Sequence, residues 1–225
     1  MSRITPIWKD QDVWIIGGGA SIAKQFGVPT HLRQGVLEGS QPVSVYSEYM
    51  QALYTKNTIG VNAAYLIGDW IKYILFHDEE FWQAHKKRLE HYPGQLVTCN
   101  NRFETRPHER VLFIPKSRVK GYGISEDAST LCWNHNSGAA AISLAAHLGA
   151  RKIFLLGFDM NIQGSVHFHN AHKDYLKRTP PFERFLLGFP YIAQDAKRRG
   201  IEIFNCSPES AIDVFPKVNV KDVLK

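Results

Sequence analysis

Three imidazoles fall within one short run, His167-Phe168-His169-Asn170-Ala171-His172. Histidine's ordinary pKa lies near neutrality, so the cluster suits a general base with a partner, and its ring nitrogens also suit a transition metal. The run lacks the helix-face spacing of a zinc hydrolase and has no cysteine ligand nearby, which ranks metal below base. An exposed polar loop is the plain alternative. Asp159 is placed to orient one of these histidines or to hold a Mg²⁺ that bridges phosphates, and Asp78 is a second carboxylate for that ion. Either acid could equally cap a following helix.

A second stretch that could do chemistry is Gly17-Gly18-Gly19-Ala20-Ser21, entered from the apolar run Val13 to Ile16. A glycine-rich turn between strand and helix lets backbone N–H groups approach a phosphate closely. Ile22 stands where the dinucleotide fingerprint has its third glycine, and the Gly-Lys-Ser/Thr ending of a Walker motif is missing, so a merely tight turn stays open. Asn62 and Ser137 suit a ribose or base edge, with a strand-end turn and a helix cap as their ordinary roles. His77 with Asp78, and Asn205 to Ser207, also follow expected strands, so one cleft could gather residues from several strand ends.

The scaffold for these groups is anchored by Asn136 to Met160. Ser137 is expected to cap a helix in which Ala141, Leu144, Ala145 and Leu148 keep helical spacing, and Gly149 to end it. Ile153 to Leu156 is an unbroken apolar run of the kind found in strands covered on both faces. Gly157 to Met160 then follow the carboxyl end of a central strand, where open α/β sheets bind ligands. Other strands are expected at Val13 to Ile16, Thr58 to Val61, Tyr73 to Phe76, Leu96 to Thr98, Val111 to Ile114 and Ile201 to Phe204. Helices are expected from Ala23, over Ala63 to Ile67, over Glu79 to Tyr92, and as one long element from Pro180 and Pro181 through Arg199. Between Gly27 and Asn57 periodicity lapses except at Tyr46 to Tyr54, which predicts an insertion or lid. The alternation predicts a doubly wound, mostly parallel, three-layer α/β/α sheet in a single domain spanning residues 1–225.

The chain has 225 residues, 44% hydrophobic and 21% charged, with a net charge of +6, which is core enough for one globular domain. The basic balance suits phosphorylated or nucleic-acid partners and equally a well solvated surface. Cys99, Cys132 and Cys206 are widely spaced, which argues against a disulfide framework or cysteine-ligated zinc and for a reducing compartment. No apolar signal core follows Met1 and no run reaches membrane-spanning length, so a cytoplasmic place without membrane contact is expected. Oligomeric state is left open.

GGGASI after the first strand, GVNAAY at the second, and SGAAAISLAAHLGARKIFLLGFDM followed by HFHNAH resemble a Rossmann-like superfamily, domain of unknown function 115. It holds archaeal 6-hydroxymethylpterin diphosphokinases of the MptE type, motility-accessory flagellin glycosyltransferases, uncharacterised phage proteins and, more remotely, bacterial sialyltransferases that use a CMP-activated sugar. The resemblance is weakest over Gly27 to Asn57. In length it is nearest the phage members, for which the place of action would be the host cytoplasm. It implies that Gly17 to Ser21 and Asn62 contact a nucleotide's phosphates and sugar and that Ser137 and Gly138 approach the nucleoside. It also implies that His167, His169 or His172 is the catalytic base.

The leading expectation is a transferase that takes a nucleotide or nucleotide-sugar donor and moves a glycosyl group to a hydroxyl acceptor. A loop histidine would take the acceptor's proton while turn amides stabilise the departing phosphate. The acceptor is open, a surface structure or a hydroxymethylated DNA base among them. A second expectation is Mg²⁺-dependent diphosphate transfer from ATP to a pterin-like alcohol, with Asp78 and Asp159 on the metal. A third is a nucleotide-binding or phage-assembly protein without turnover.

Overall fold

The computed structural model describes residues 3–161, 166–171 and 181–224. Its strands are β1 (Gln11–Ile16), β2 (Asn57–Val61), β3 (Tyr73–Phe76), β4 (Gln95–Thr98), β5 (Val111–Phe113), β6 (Ala150–Leu156) and β7 (Glu202–Asn205). They form one sheet, parallel throughout, in the order β5-β4-β3-β2-β1-β6-β7. The α-helices are α1 (Ser21–Gln25), α2 (Thr30–Glu38), α3 (Glu79–Leu89), α4 (Arg102–Thr105), α5 (Ser137–His147), α6 (Phe182–Leu186), α7 (Phe189–Arg198) and α8 (Val220–Val223), with 3-10 helix over Val43–Leu53 and Asn62–Leu66.

Side chains alternate across each strand, so the two sheet faces build two separate cores. Trp14, Ile16, Ile74, Phe76, Phe154 and Leu156 pack toward α1 to α4. Val13, Ile15, Ile59, Leu75, Ile153 and Leu155 pack toward α5 and α7. On the first face, Trp14 stacks on Phe154 at 4.3 Å and Phe154 on Phe204 at 5.4 Å, which follows from their being register partners across β1, β6 and β7. The chain winds outward from β1 to β5, returns, and adds β6 and β7 on the other flank of β1. This is the doubly wound, Rossmann-like three-layer arrangement that the alternation predicts.

Helix α5 is buried along every residue but Ala146, and its alanines let it lie close against the sheet. Its N-cap is Asn136, whose extended backbone lets Oδ1 accept from the N–H groups of Gly138 and Ala139 at 2.8 and 3.3 Å. Ser137 is instead the first helical residue, which corrects the expected cap by one position. Gly149 ends the helix with φ at 98°, as expected.

Two other expectations change. The segment between Gly27 and Asn57 holds regular structure: Pro29 precedes α2, Gly39 closes it with φ at 89°, and the 3-10 stretch buries Tyr46, Met50 and Leu53 in the core. The long helix after Pro181 is broken in two. Pro190 begins α7 afresh, and Gly188 lies so close to Asn134 that a Cβ there would stand 2.8 Å from its Oδ1.

Candidate active site

The strand order reverses between β1 and β6, and the connections that follow these two neighbours leave for opposite faces. That opens a crevice at their carboxyl ends, the usual ligand position in such sheets. The two exits touch backbone to backbone. A Cβ on Gly17 would stand 2.7 Å from the Gly157 carbonyl oxygen, and one on Gly19 2.6 Å from the Asp159 carboxyl carbon. Glycine is needed at both for close approach within the protein.

That contact consumes much of the turn's donor capacity. Gly17 N–H donates to the Leu156 carbonyl (2.7 Å), Gly19 N–H to the Gly157 carbonyl (2.8 Å) and Ser21 N–H to Asp159 Oδ2 (2.9 Å). The N–H groups of Gly18 and Ala20 are left without a protein acceptor among the described residues. Ser21 Oγ also donates to Asp159 Oδ1 and receives Gln25 Nε2 at 3.1 Å. The protein's own carboxylate thus occupies the start of α1, where the sequence pattern suggests a phosphate. Ser207, just past β7, completes the knot: its Oγ lies 3.1 Å from Ser21 Oγ and accepts the Phe158 N–H at 3.0 Å. Asn205 Oδ1 accepts the Ser207 N–H at 3.0 Å. Sequence inspection marks Asn205 to Ser207 only as polar residues after a strand, since nothing local ties them to Ser21.

The histidine run returns over this turn. One carbonyl, that of Gly18, accepts both the Phe168 N–H at 3.1 Å and the His167 Nδ1–H at 3.3 Å. A Cβ on Gly18 would stand 3.0 Å from that Nδ1, so the middle glycine makes room for the imidazole. Burial lowers the His167 pKa below the ordinary value, opposed by the Gly18 bond and by Asp159. The ring is therefore neutral near pH 7, with its proton on Nδ1 and its lone pair on Nε2, the tautomer a general base needs. His169 stacks on it at 5.3 Å and is held in the opposite tautomer, because its Nδ1 accepts the Ala171 N–H at 3.2 Å. His172 lies outside the described residues. Tyr46 fixes the run from the other side, its buried hydroxyl donating to the Phe168 carbonyl at 3.2 Å. No short-range pattern singles out Tyr46.

The remaining candidates divide by strand. Asn62 follows β2, next to β1, in a left-handed conformation with φ at 50°, and its Oδ1 is buried without a hydrogen-bond partner among the described residues. Gly138 packs on Phe158, with a would-be Cβ 2.8 Å from that ring, which brings Ser137 and Gly138 to the β6 exit. Asn62, Asn134, His135 and Met160 all hold positive φ at this end of the sheet; such strain tends to collect at functional sites. Asp78 follows β3, and the β3 and β6 exits are three strand spacings apart, about 14 Å within the sheet. Asp159 is spent on Ser21. No group of three or more metal-ligating side chains occurs among the described residues. The three cysteines are buried and free, and no described helix is long and apolar enough to cross a membrane.

No family model matches the chain and no curated protein sequence matches it. Its fold is similar to that of sialyltransferases from Campylobacter jejuni. The monofunctional α-2,3-sialyltransferase Cst-I superposes with a TM-score of 0.58 at 13% identity, covering 94% of this chain and 82% of that one. The sialyltransferase CstII bound to CMP gives 0.50 at 12% identity, covering 92% and 84%. Its complex with CMP-3FNeuAc gives 0.50 at 12%, covering 92% and 86%. At these identities the sialyltransferase likeness is one of fold, and the chemistry has to be argued from this chain's own residues.

Proposed function

We propose that the chain is a nucleotide-sugar-dependent glycosyltransferase whose donor lies across the β1/β6 crevice and whose general base is His167. The observation that carries this is the His167 Nδ1–H bonded to the Gly18 carbonyl, which leaves Nε2 as the basic nitrogen of a ring seated against the glycine turn. Nε2 takes the acceptor hydroxyl's proton as that oxygen bonds to the anomeric carbon. The bond from the anomeric carbon to the phosphate oxygen breaks, and the nucleotide leaves with the electron pair. The N–H groups of Gly18 and Ala20 are then the turn's donors for the negative charge that develops.

Two free amides beside the Asp159 carboxylate favour a donor with a single phosphate over a diphosphate. The CMP and CMP-3FNeuAc bound by CstII each carry a single phosphate of that kind. The unpartnered Asn62 Oδ1 would accept from a ribose hydroxyl, and Ser137 with Gly138 would border the nucleoside. The engagement of Asp159 by Ser21, with Asp78 on a different strand exit, gives no support to the diphosphokinase alternative.

The test is release of CMP from CMP-sialic acid with a panel of hydroxyl acceptors, in EDTA, for wild type and His167→Asn. The wild type should turn over without metal, and the variant should lose roughly two to four orders of magnitude while binding CMP equally well. Equal rates in the two proteins, or activity abolished by EDTA, would sink the proposal.

A further inference from the structure

The segment that runs from β5 back to α5 crosses the carboxyl end of the sheet and brings Lys116 and Trp133 to the exit of β3. His77 leaves that exit with its carbonyl fixed by Asn100 Nδ2 at 2.7 Å and its ring 3.8 Å from the Trp133 ring. Lys116 Nζ lies 3.3 Å from His77 Nε2 and 5.2 Å from the Trp133 ring centroid. The ammonium donates to Nε2, which puts the imidazole's own proton on Nδ1, facing Cys99 Sγ at 3.7 Å. Burial, and then Lys116, push the His77 pKa down to about 4. The histidine is therefore a neutral support for the Lys116 ammonium.

No carboxylate stands within 4.0 Å of Lys116 Nζ among the described residues. The Asp78 carboxylate attracts it through space. Lys116 opens into a groove of about 770 Å³ shared with Asn101, Ser117, Arg118, Glu104 and Glu126. Arg118 is likewise without an ion pair there, whereas Lys120 is spent on Asp195 and Asp127 accepts from Ser129. A half-buried cation whose near partners are an imidazole lone pair and an indole face, with no carboxylate at ion-pair distance, can take an incoming anion as a direct partner.

We propose that Lys116, positioned by His77 and the Trp133 indole, forms a second binding subsite for an anionic group, a carboxylate or phosphate carried by the acceptor. The exits of β3 and β1 are two strand spacings apart, about 10 Å, which is sugar-ring distance from the crevice. The word acceptor rests on the transferase reading above; the anion site does not.

The experiment follows the Trp133 indole N–H by nuclear magnetic resonance during titrations with inorganic phosphate, glucuronate and glucose, on wild type, Lys116→Gln and Trp133→Phe, with CMP as a control ligand. Phosphate and glucuronate should move the Trp133 signal and glucose should not. Lys116→Gln should weaken both anions by at least about tenfold while leaving CMP affinity unchanged. Trp133→Phe, followed by the backbone signals of Lys116 to Arg118, should weaken both anions less than Lys116→Gln does. Anions that leave Trp133 unmoved, or that bind Lys116→Gln as tightly as wild type, would overturn the subsite. If CMP fails to bind the wild type while glucuronate still requires Lys116, the transferase reading falls and the anion site stands.

Discussion

Asn62 is held with φ at 50° and with a buried carbonyl oxygen that bonds nothing described, two costs at one residue. Glycine adopts that backbone freely, so Asn62→Gly should leave the unliganded protein at least as stable by denaturant melt while weakening CMP binding. Unchanged CMP affinity would assign the asparagine to the turn alone. For His167 the sign of the pH dependence follows from its lowered pKa. The base is active when neutral, so kcat/KM should rise with pH through a midpoint below the ordinary imidazole value of about 6.5 and be flat above neutrality. A midpoint above that value would contradict the buried, carbonyl-bonded ring. At this scale the sequence displays Gly17 to Ser21, Asp159 and the histidine run plainly, because each is a dense local pattern. It hides their partners: Asp159 meets Ser21 across 138 positions and Ser21 meets Ser207 across 186, so Asp159 reads equally well as a metal ligand or a helix cap.

Among elements, the strands and α5 were legible because a continuous apolar run and a 3.6-residue period are local signals. The segment from Gly27 to Asn57 was not, since its glycines and prolines bound a helix and a 3-10 stretch whose burial is set by the rest of the fold. Its packing has a consequence for the site. Tyr46 carries the bond to the Phe168 carbonyl, so Tyr46→Phe should cost about 1 kcal/mol and speed hydrogen exchange at the Phe168 and His169 amides. Amides of β1 should stay as protected relative to the global stability. Exchange that rises uniformly, or not at all, would show that the tyrosine does not hold the histidine run.

For the molecule as a whole, an all-parallel sheet that reverses at β1 leaves one place where two neighbouring strand exits diverge, and the glycine turn, Asp159 and His167 all meet there. Stability carries a separate signature from the far end of α5. His147 is buried, its Nε2 has no partner among the described residues, and burial with Arg199 pushes its pKa down to about 4. The unfolded chain binds that proton more readily, so stability should fall as pH drops from about 6.5 toward 4, by at most about 3 kcal/mol from this group. His147→Gln should flatten that slope in denaturant melts; a slope that persists unchanged would locate it elsewhere. The most direct test of the central claim is the thermal midpoint of the wild type with and without CMP in EDTA. A nucleotide seated in the crevice at a hundredfold excess over its dissociation constant adds about 2.7 kcal/mol and raises the midpoint without metal. A midpoint that CMP leaves unmoved, or moves only when Mg²⁺ is restored, would contradict a metal-free donor site between β1 and β6.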